Sequence, residues 1–189
     1  MNSSLIYQVK KSQETLLDLL HIRNFTHIKK NHFIQVSSIL ETKLLENELS
    51  YIFKKNSKKI YINYLYNISI KVVNELISEF YDGDTQIILI VIGNKFTSIY
   101  NDIMYKYMGS VTIFKIQELL FNVMKNIYVP KHSIYEGNIN KLKVTDQTLL
   151  PKIKLIDPPI KFIGGKINDI IEIERNIKLI NKKYYRLVI

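Results

Sequence analysis

Gln86-Ile87-Ile88-Leu89-Ile90-Val91-Ile92 places six aliphatic residues in a row, all but Leu89 of them β-branched. A run this apolar shows neither helical periodicity nor alternation, so it reads as a strand buried on both faces, of the kind that sits inside a parallel sheet. Tyr81-Asp82-Gly83-Asp84 ahead of it is a turn signal, and Gly93-Asn94 ends it. The neighbouring segments set the frame. Ile60 to Tyr66 is β-branched and aromatic and reads as a strand. Ile70 to Phe80 has helical spacing through Val72, Val73, Leu76, Ile77 and Phe80. Downstream, Thr97 to Met108 reads as a helix and Val111 to Phe114 as a strand. Strand, helix, strand, helix, strand predicts a small α/β layer with a largely parallel sheet.

Further upstream, Leu5, Val9, Leu16, Leu17 and Leu20 form the stripe of an opening helix. A second helical pattern runs from Glu41 to Phe53, with Leu44, Leu45, Leu49 and Ile52 on one side. The basic stretch Lys54 to Lys59 then reads as a solvated polar loop, with contact to a polyanion as the lesser alternative.

The chain changes character near Tyr128-Val129-Pro130. All four prolines (Pro130, Pro151, Pro158, Pro159) follow that point, as does Gly164-Gly165. Pro151 and Pro158-Pro159 predict rigid turns around a short strand, Lys152 to Ile156. Beyond Gly165, Ile167, Ile171 and Ile173 interleave with Asp169, Glu172 and Glu174, and Tyr184 to Ile189 reads as a strand. Two strands around the polar stretch Asn176 to Lys183 predict a terminal β-hairpin.

Composition excludes several classes. With 47% hydrophobic and 23% charged residues among 189, the chain can bury a core and is neither fibrous nor disordered. Cysteine is absent, which removes disulfides, thiolate zinc sites and a cysteine nucleophile. Met1-Asn2-Ser3-Ser4-Leu5 has no charged segment leading into an apolar one, so no signal peptide is expected. No stretch is apolar enough for a membrane helix, and the expectation is an intracellular protein. The net charge of +10 suits a polyanionic partner or an acidic protein surface. Residues 129–189 carry 12 basic against 6 acidic residues, so a third of the chain holds more than half the surplus. A bland origin stands beside that reading. Ile, Lys, Asn and Tyr make up 87 residues and Ala is missing, the signature of A/T-rich coding.

The pattern offers no catalytic apparatus. His21, His27, His32 and His132 lack metal-ligand spacing, and no nucleophile elbow, P-loop or dinucleotide fingerprint is present. Gly164-Gly165-Lys166 lacks the upstream glycine and following helix of a phosphate loop. A metal-dependent nuclease would need convergent carboxylates to hold Mg²⁺. Asp82 and Asp84 precede a strand, but neither Ile60–Tyr66 nor Gln86–Ile92 contains an acid. No catalytic residue, metal or cofactor is expected.

Val129-Pro130-Lys131-His132, Leu150-Pro151-Lys152-Ile153, Asp157-Pro158, Gly164, the strand Ile170 to Ile173 leading to Arg175, and Tyr185-Arg186 follow one another over 61 residues. That order resembles the fifth subunit shared by eukaryotic nuclear DNA-directed RNA polymerases, a family that includes short archaeal counterparts. Its pattern is V-P-K-H, L-P-[KR]-I, D-P, a glycine, a hydrophobic strand ending in R, and Y-R near the end. Glu118-Leu119-Leu120-Phe121-Asn122 looks like the segment that closes the family's N-terminal jaw domain. The resemblance implies residues 1–128 as a three-layer-like α/β jaw with a nuclease-like fold lacking catalytic residues. It implies residues 129–189 as a small α+β assembly domain with a mainly β sheet.

By the same resemblance the chain is a non-catalytic member of a hetero-oligomeric polymerase. Its partners would be the largest subunit, a neighbouring small subunit and downstream duplex DNA, with no membrane involved. The polymerase-interface candidates are Pro130, Lys131, His132, Pro151, Asp157, Pro158, Gly164, Arg175, Tyr185 and Arg186. The DNA-contact candidates are Asn94, Lys95, Thr97 and Ser98, whose amide, amine and hydroxyl groups suit sequence-independent phosphate contact. Three departures stand out. Eighteen residues separate His132 from Pro151, about one helical turn fewer than in cellular members. Asn176 to Asn181 replaces the family's S-x-T-A-G hairpin, and Asn168 replaces a common glycine. Divergence of this size, with A/T-rich coding, resembles the polymerases of large cytoplasmic DNA viruses; a protist nuclear subunit is the alternative. A viral member would sit in host cytoplasm or virion, a cellular one in the nucleus. A stand-alone nucleic-acid-binding protein and, behind it, a nuclease-fold phosphodiesterase are the readings outside that family.

Overall fold

The apolar run at the middle of the sequence forms the interior of a sheet: in β3 (Thr85–Val91) every side chain but the half-buried Gln86 is buried. The computed structural model describes residues 3–46, 48–66, 70–92, 98–142, 144, 146–177 and 180–189. They fall into two units, Met1–Asn122 and Val123–Ile189. The division lies six residues ahead of the Tyr128/Val129 break read from composition.

In the first unit the strand order is β1-β2-β3-β4, with β1 (Ser50–Lys55) antiparallel to β2 (Lys58–Leu65). β2, β3 and β4 (Val111–Lys115) run parallel, as the alternation of strands and helices requires. α3 (Ile70–Phe80) and α4 (Ile99–Lys106) make the two crossovers. α1 (Ser3–Ile22) and α2 (Ser37–Leu45) come first. Side-chain parity in β2 shows what covers each face. Tyr64 points to α1, where its hydroxyl meets Ser12 Oγ at 2.7 Å. Tyr61 points the other way and stacks on Phe80 of α3 at a centroid distance of 3.9 Å. Helices therefore lie on both sides of the sheet.

Two expectations are corrected here. The helical pattern Glu41–Phe53 is a helix only to Leu45; residues 50–53 belong to β1. Leu44, Leu49 and Ile52 satisfy helical spacing, yet Tyr51 and Phe53 alternate with an Ile52 that is 55% exposed, so pairing with β2 overrides the local pattern. The basic stretch Lys54 to Lys59 is not a loop but the end of the β1–β2 hairpin, closed by the two residues Asn56 and Ser57. Asn56 takes a φ of +54°, which asparagine tolerates better than most residues.

The second unit is a four-stranded sheet in the order β5-β7-β8-β6. β5 (Lys131–Ile134) and β8 (Ile180–Val188) flank β7 (Ile170–Ile177) antiparallel, and β6 (Lys152–Ile153) runs parallel to β8. Pro158-Pro159 is not a turn, as the sequence led us to expect, but the start of α5 (Pro158–Ile163), where a missing N–H and a fixed φ are harmless. The predicted strand Lys152–Ile156 shrinks to two residues. The hairpin strands are longer than read, taking in Lys182 and Lys183. At Asn168, which stands where the family that the sequence resembles commonly has glycine, φ is +71°, so asparagine keeps the left-handed turn.

The Ser12–Tyr64 contact yields a test. Ser12 Oγ also donates to the Val9 carbonyl at 2.7 Å, so the Tyr64 hydroxyl must be the donor to Ser12. Ser12→Ala strands a wholly buried phenol and should cost about 1–3 kcal/mol, whereas Tyr64→Phe leaves Ser12 satisfied and should cost about 1 kcal/mol or less. Urea unfolding of both variants measures the order, and a costlier Tyr64→Phe would contradict it.

Candidate functional site

Antiparallel pairing of β7 with β8 sets Ile171 opposite Arg186, Glu172 opposite Tyr185, Ile173 opposite Tyr184 and Arg175 opposite Lys182. Directly opposed residues share a face, and neighbours along a strand do not. The interface candidates therefore divide. On one face lie Ile171, Ile173, Arg175, Tyr184 and Arg186, joined through β5 by His132, which pairs with Ile173. On the other lie Lys131, Glu172, Glu174, Lys183 and Tyr185.

The first face is apolar where α5 covers it. Ile171 and Ile173 are buried, and α5 is fixed at its C-terminus by Gly164, whose φ of +76° lets the Gly164 and Gly165 amides both donate to the Ile160 carbonyl. Gly165 permits close packing, since a Cβ there would come within 2.8 Å of Ile160 Cγ2 and 3.7 Å of Ile171 Cδ1. Asp157 is the N-cap position of α5, and its carbonyl accepts from the Lys161 amide. His132 is also buried, and its Nδ1 donates to the Pro130 carbonyl at 2.6 Å, which fixes the ring and uses the proline two residues before it. Burial holds the His132 pKa below its usual value; the Pro130 carbonyl and Asp157 push it up, and Arg175 and Arg186 push it down.

Further along this face the side chains become polar. The Arg175 guanidinium lies 5.8 Å from the ring centroid of Tyr184, a cation–π distance. Arg186 Nη1 donates to the Lys152 carbonyl at 3.3 Å. Tyr184 was not among the sequence-based candidates; its partnership with Arg175 depends on hairpin register, which composition does not carry.

The opposite face is a ladder of charges. Lys183 bonds Glu172 at 2.8 Å and reaches Glu174 at 3.7 Å, Lys131 lies 3.3 Å from Glu174, and the Tyr185 hydroxyl donates to Glu172 at 2.9 Å. The Lys183 hydrogen bond holds the Glu172 carboxyl below the usual carboxylate range. Lys131 and Tyr185 are thus separated from Arg175 and Arg186. Pro151 is exposed at the start of β6, where its carbonyl accepts from the Leu187 amide at 2.9 Å. Pro158 is exposed at the start of α5.

Of the DNA-contact candidates, Asn94, Lys95 and Thr97 lie outside the described residues, and Ser98 is exposed at the N-cap of α4. Among the described residues no group of three or more His, Asp or Glu side chains is placed to hold a metal ion, and no helix is long and apolar enough to cross a membrane.

Residues 121–188 match the family described as RNA polymerase Rpb5, C-terminal domain, a span that starts two residues before the second unit and ends one residue before its end. The chain is similar to DNA-directed RNA polymerase subunit Rpo5 of Pyrococcus horikoshii, 36% identical over 74 residues that cover 36% of this chain and 89% of the relative. It is also similar to subunit Rpo5 of Methanosarcina mazei, again 36% identical over 74 residues, covering 36% of this chain and 95% of the relative.

The depressed His132 pKa makes a stability statement about the second unit. The unfolded chain takes up a proton near the ordinary histidine pKa of about 6.5, while the folded chain resists until lower pH. The contribution of His132 is therefore complete above about pH 6.5 and is lost as pH falls through its folded pKa. Chemical denaturation at successive pH values should show a decline below that point that His132→Asn removes; an equally steep decline in the variant would disprove the link.

Proposed function

Because the chain belongs to the RNA polymerase Rpb5/Rpo5 subunit family, we propose that it serves as a non-catalytic subunit of a multisubunit DNA-directed RNA polymerase, docked through residues 129–189. The observation that carries this reading is the agreement between the family match and the second unit, whose hairpin gathers Arg175, Tyr184 and Arg186 on one face. Arginine is rare in this chain, 3 residues against 24 lysines, so two on one face of one hairpin point to a need for the planar guanidinium. A guanidinium forms paired hydrogen bonds to a carboxylate, which an ammonium does not. The partner surface is read as acidic groups on the largest subunit, with a neighbouring small subunit alongside.

The first unit is read as the jaw, with a nuclease-like fold that has no catalytic set, facing downstream duplex DNA. Residues 93–98, which include the DNA-contact candidates, follow the C-terminal end of β3, the edge of a parallel sheet where ligands usually bind. Transcription as the process, and a viral source with a cytoplasmic or virion location, complete the reading.

Two measurements test it. A tagged full-length chain should co-purify stoichiometrically with two large polymerase chains, and Arg186→Lys should weaken its retention on gel filtration nearly as much as Arg186→Ala. Leaving a buried carboxylate unpaired costs on the order of 2–5 kcal/mol; full retention of both variants would remove the interface role. Recovery of the chain without large subunits would favour a stand-alone nucleic-acid-binding protein. For the jaw, Lys95→Ala should reduce the salt slope of binding to downstream duplex by about one unit, the loss of one phosphate contact. An unchanged slope would mean that Lys95 does not contact DNA.

A further inference from the structure

The β1–β2 hairpin ends in an arrangement that is electrostatically costly by itself. Lys55 stands directly opposite Lys58, and Lys54 directly opposite Lys59. Like charges directly opposed across a ladder destabilise a sheet. The second pair is relieved, because Lys59 forms an ion pair with Asp82 at 2.9 Å. The first pair opens on a concavity of about 210 Å³ lined by Arg23, Asn24, Phe25, Lys55, Asn56, Ser57 and Lys58. That lining contains three cations, two amides and a hydroxyl, and no acid.

Arg23 is the deepest cation of the set, 7% exposed, with its Nη1 donating to Gln86 Oε1 at 3.0 Å. Burial lowers its pKa to about 9, so it remains charged at neutral pH. Lys55 Nζ donates to the Asn24 carbonyl at 2.5 Å, masking an oxygen that would otherwise repel an anion. The turn supplies the remaining polar groups.

We propose that this concavity, formed by Arg23, Lys55, Lys58 and the Asn56-Ser57 turn, is a binding site for a terminal phosphate group, a phosphomonoester or the free ion. The geometry favours a terminal group over the backbone of a nucleic acid. The volume lies below the roughly 300–1,000 Å³ of sites that enclose a whole small molecule. Its deepest charge, Arg23, is only 7% exposed, whereas a phosphodiester is flanked by sugars and suits an open groove. The site lies where β2 begins and β1 ends, at the opposite end of the parallel strands from the C-terminal edge that residues 93–98 follow. It is independent of the docking and DNA-contact readings above.

Calorimetric titration of the full-length chain near neutral pH tests the site with three probes: inorganic phosphate, a short phosphoserine peptide and a 5′-hydroxyl single-stranded oligonucleotide. Saturable binding of phosphate or of the phosphopeptide is expected, and which of the two binds more tightly identifies the source of the group. Lys58→Gln, on the exposed hairpin, should weaken that binding by roughly tenfold, the loss of one charge-assisted contact. Lys54→Gln, one position along β1 on the other face, should leave it unchanged. Arg23→Gln should abolish binding; if that variant fails to fold, Lys58→Gln decides. Absence of saturable phosphate binding, equal affinity in Lys58→Gln, or displacement of phosphate by the 5′-hydroxyl oligonucleotide at lower concentration would each overturn the proposal.

Discussion

The register of one antiparallel pair, β7 against β8, governs the second unit. With Ile173 opposite Tyr184, Ile171 and Ile173 lie on the face covered by α5, and Glu172 and Glu174 join the charged ladder. A slip of one residue would put Glu172 and Glu174 under α5 and Ile171 and Ile173 in water. The ladder of Lys131, Glu174, Lys183 and Glu172 works against that slip, because its ion pairs exist in only one register. Such pairs are worth little in stability when exposed, about 0–1 kcal/mol each. Their larger effect here is on alignment, and alignment decides which side chains are presented together.

Much of the first unit was legible because its signals are long and unambiguous. The helix Ile70–Phe80 and the strands at 60, 87 and 111 come from periodicity and β-branching, and the structure places each within about two residues. The failure at Glu41–Phe53 has a definite cause. Leucines at 44, 45 and 49 fit a helix locally, and only the partner strand Lys58–Leu65 reveals that Tyr51 and Phe53 need an extended chain. The lysine-rich stretch misled for a related reason: polarity is the usual mark of a loop, yet a two-residue hairpin keeps its lysines within the strands. Proline misled at α5, because the same residue that breaks a helix interior is welcome at its first positions.

The candidate site was legible as a set of residues and not as an arrangement. Order along the chain brought together Tyr185 and Arg186, which pairing sends to opposite faces, and it passed over Tyr184, which sits with Arg175. Motif order records which residues a fold retains, whereas faces depend on pairing partners that are distant in sequence. The cluster of Arg23 with Lys55 and Lys58 is of the same kind. More than 30 positions separate Arg23 from the two lysines, and they line one concavity only once the chain has folded. Asn168 shows the reverse case, in which a departure from the family pattern was visible but its harmlessness was not until its backbone angle was known.

β1 has a consequence of a different sort for the life of the chain before it joins anything. It forms the outer margin of the first sheet, pairs only with β2 among the described strands, and carries an exposed Ile52. An unpaired margin with an apolar side chain is the usual starting point for edge-to-edge aggregation, and lysines placed along it are a common safeguard. Lys54 and Lys55 occupy the end of that margin, and the rest of it is only four residues, Ser50 to Phe53. The margin is short and charged, and both features count against edge-to-edge pairing of newly made copies.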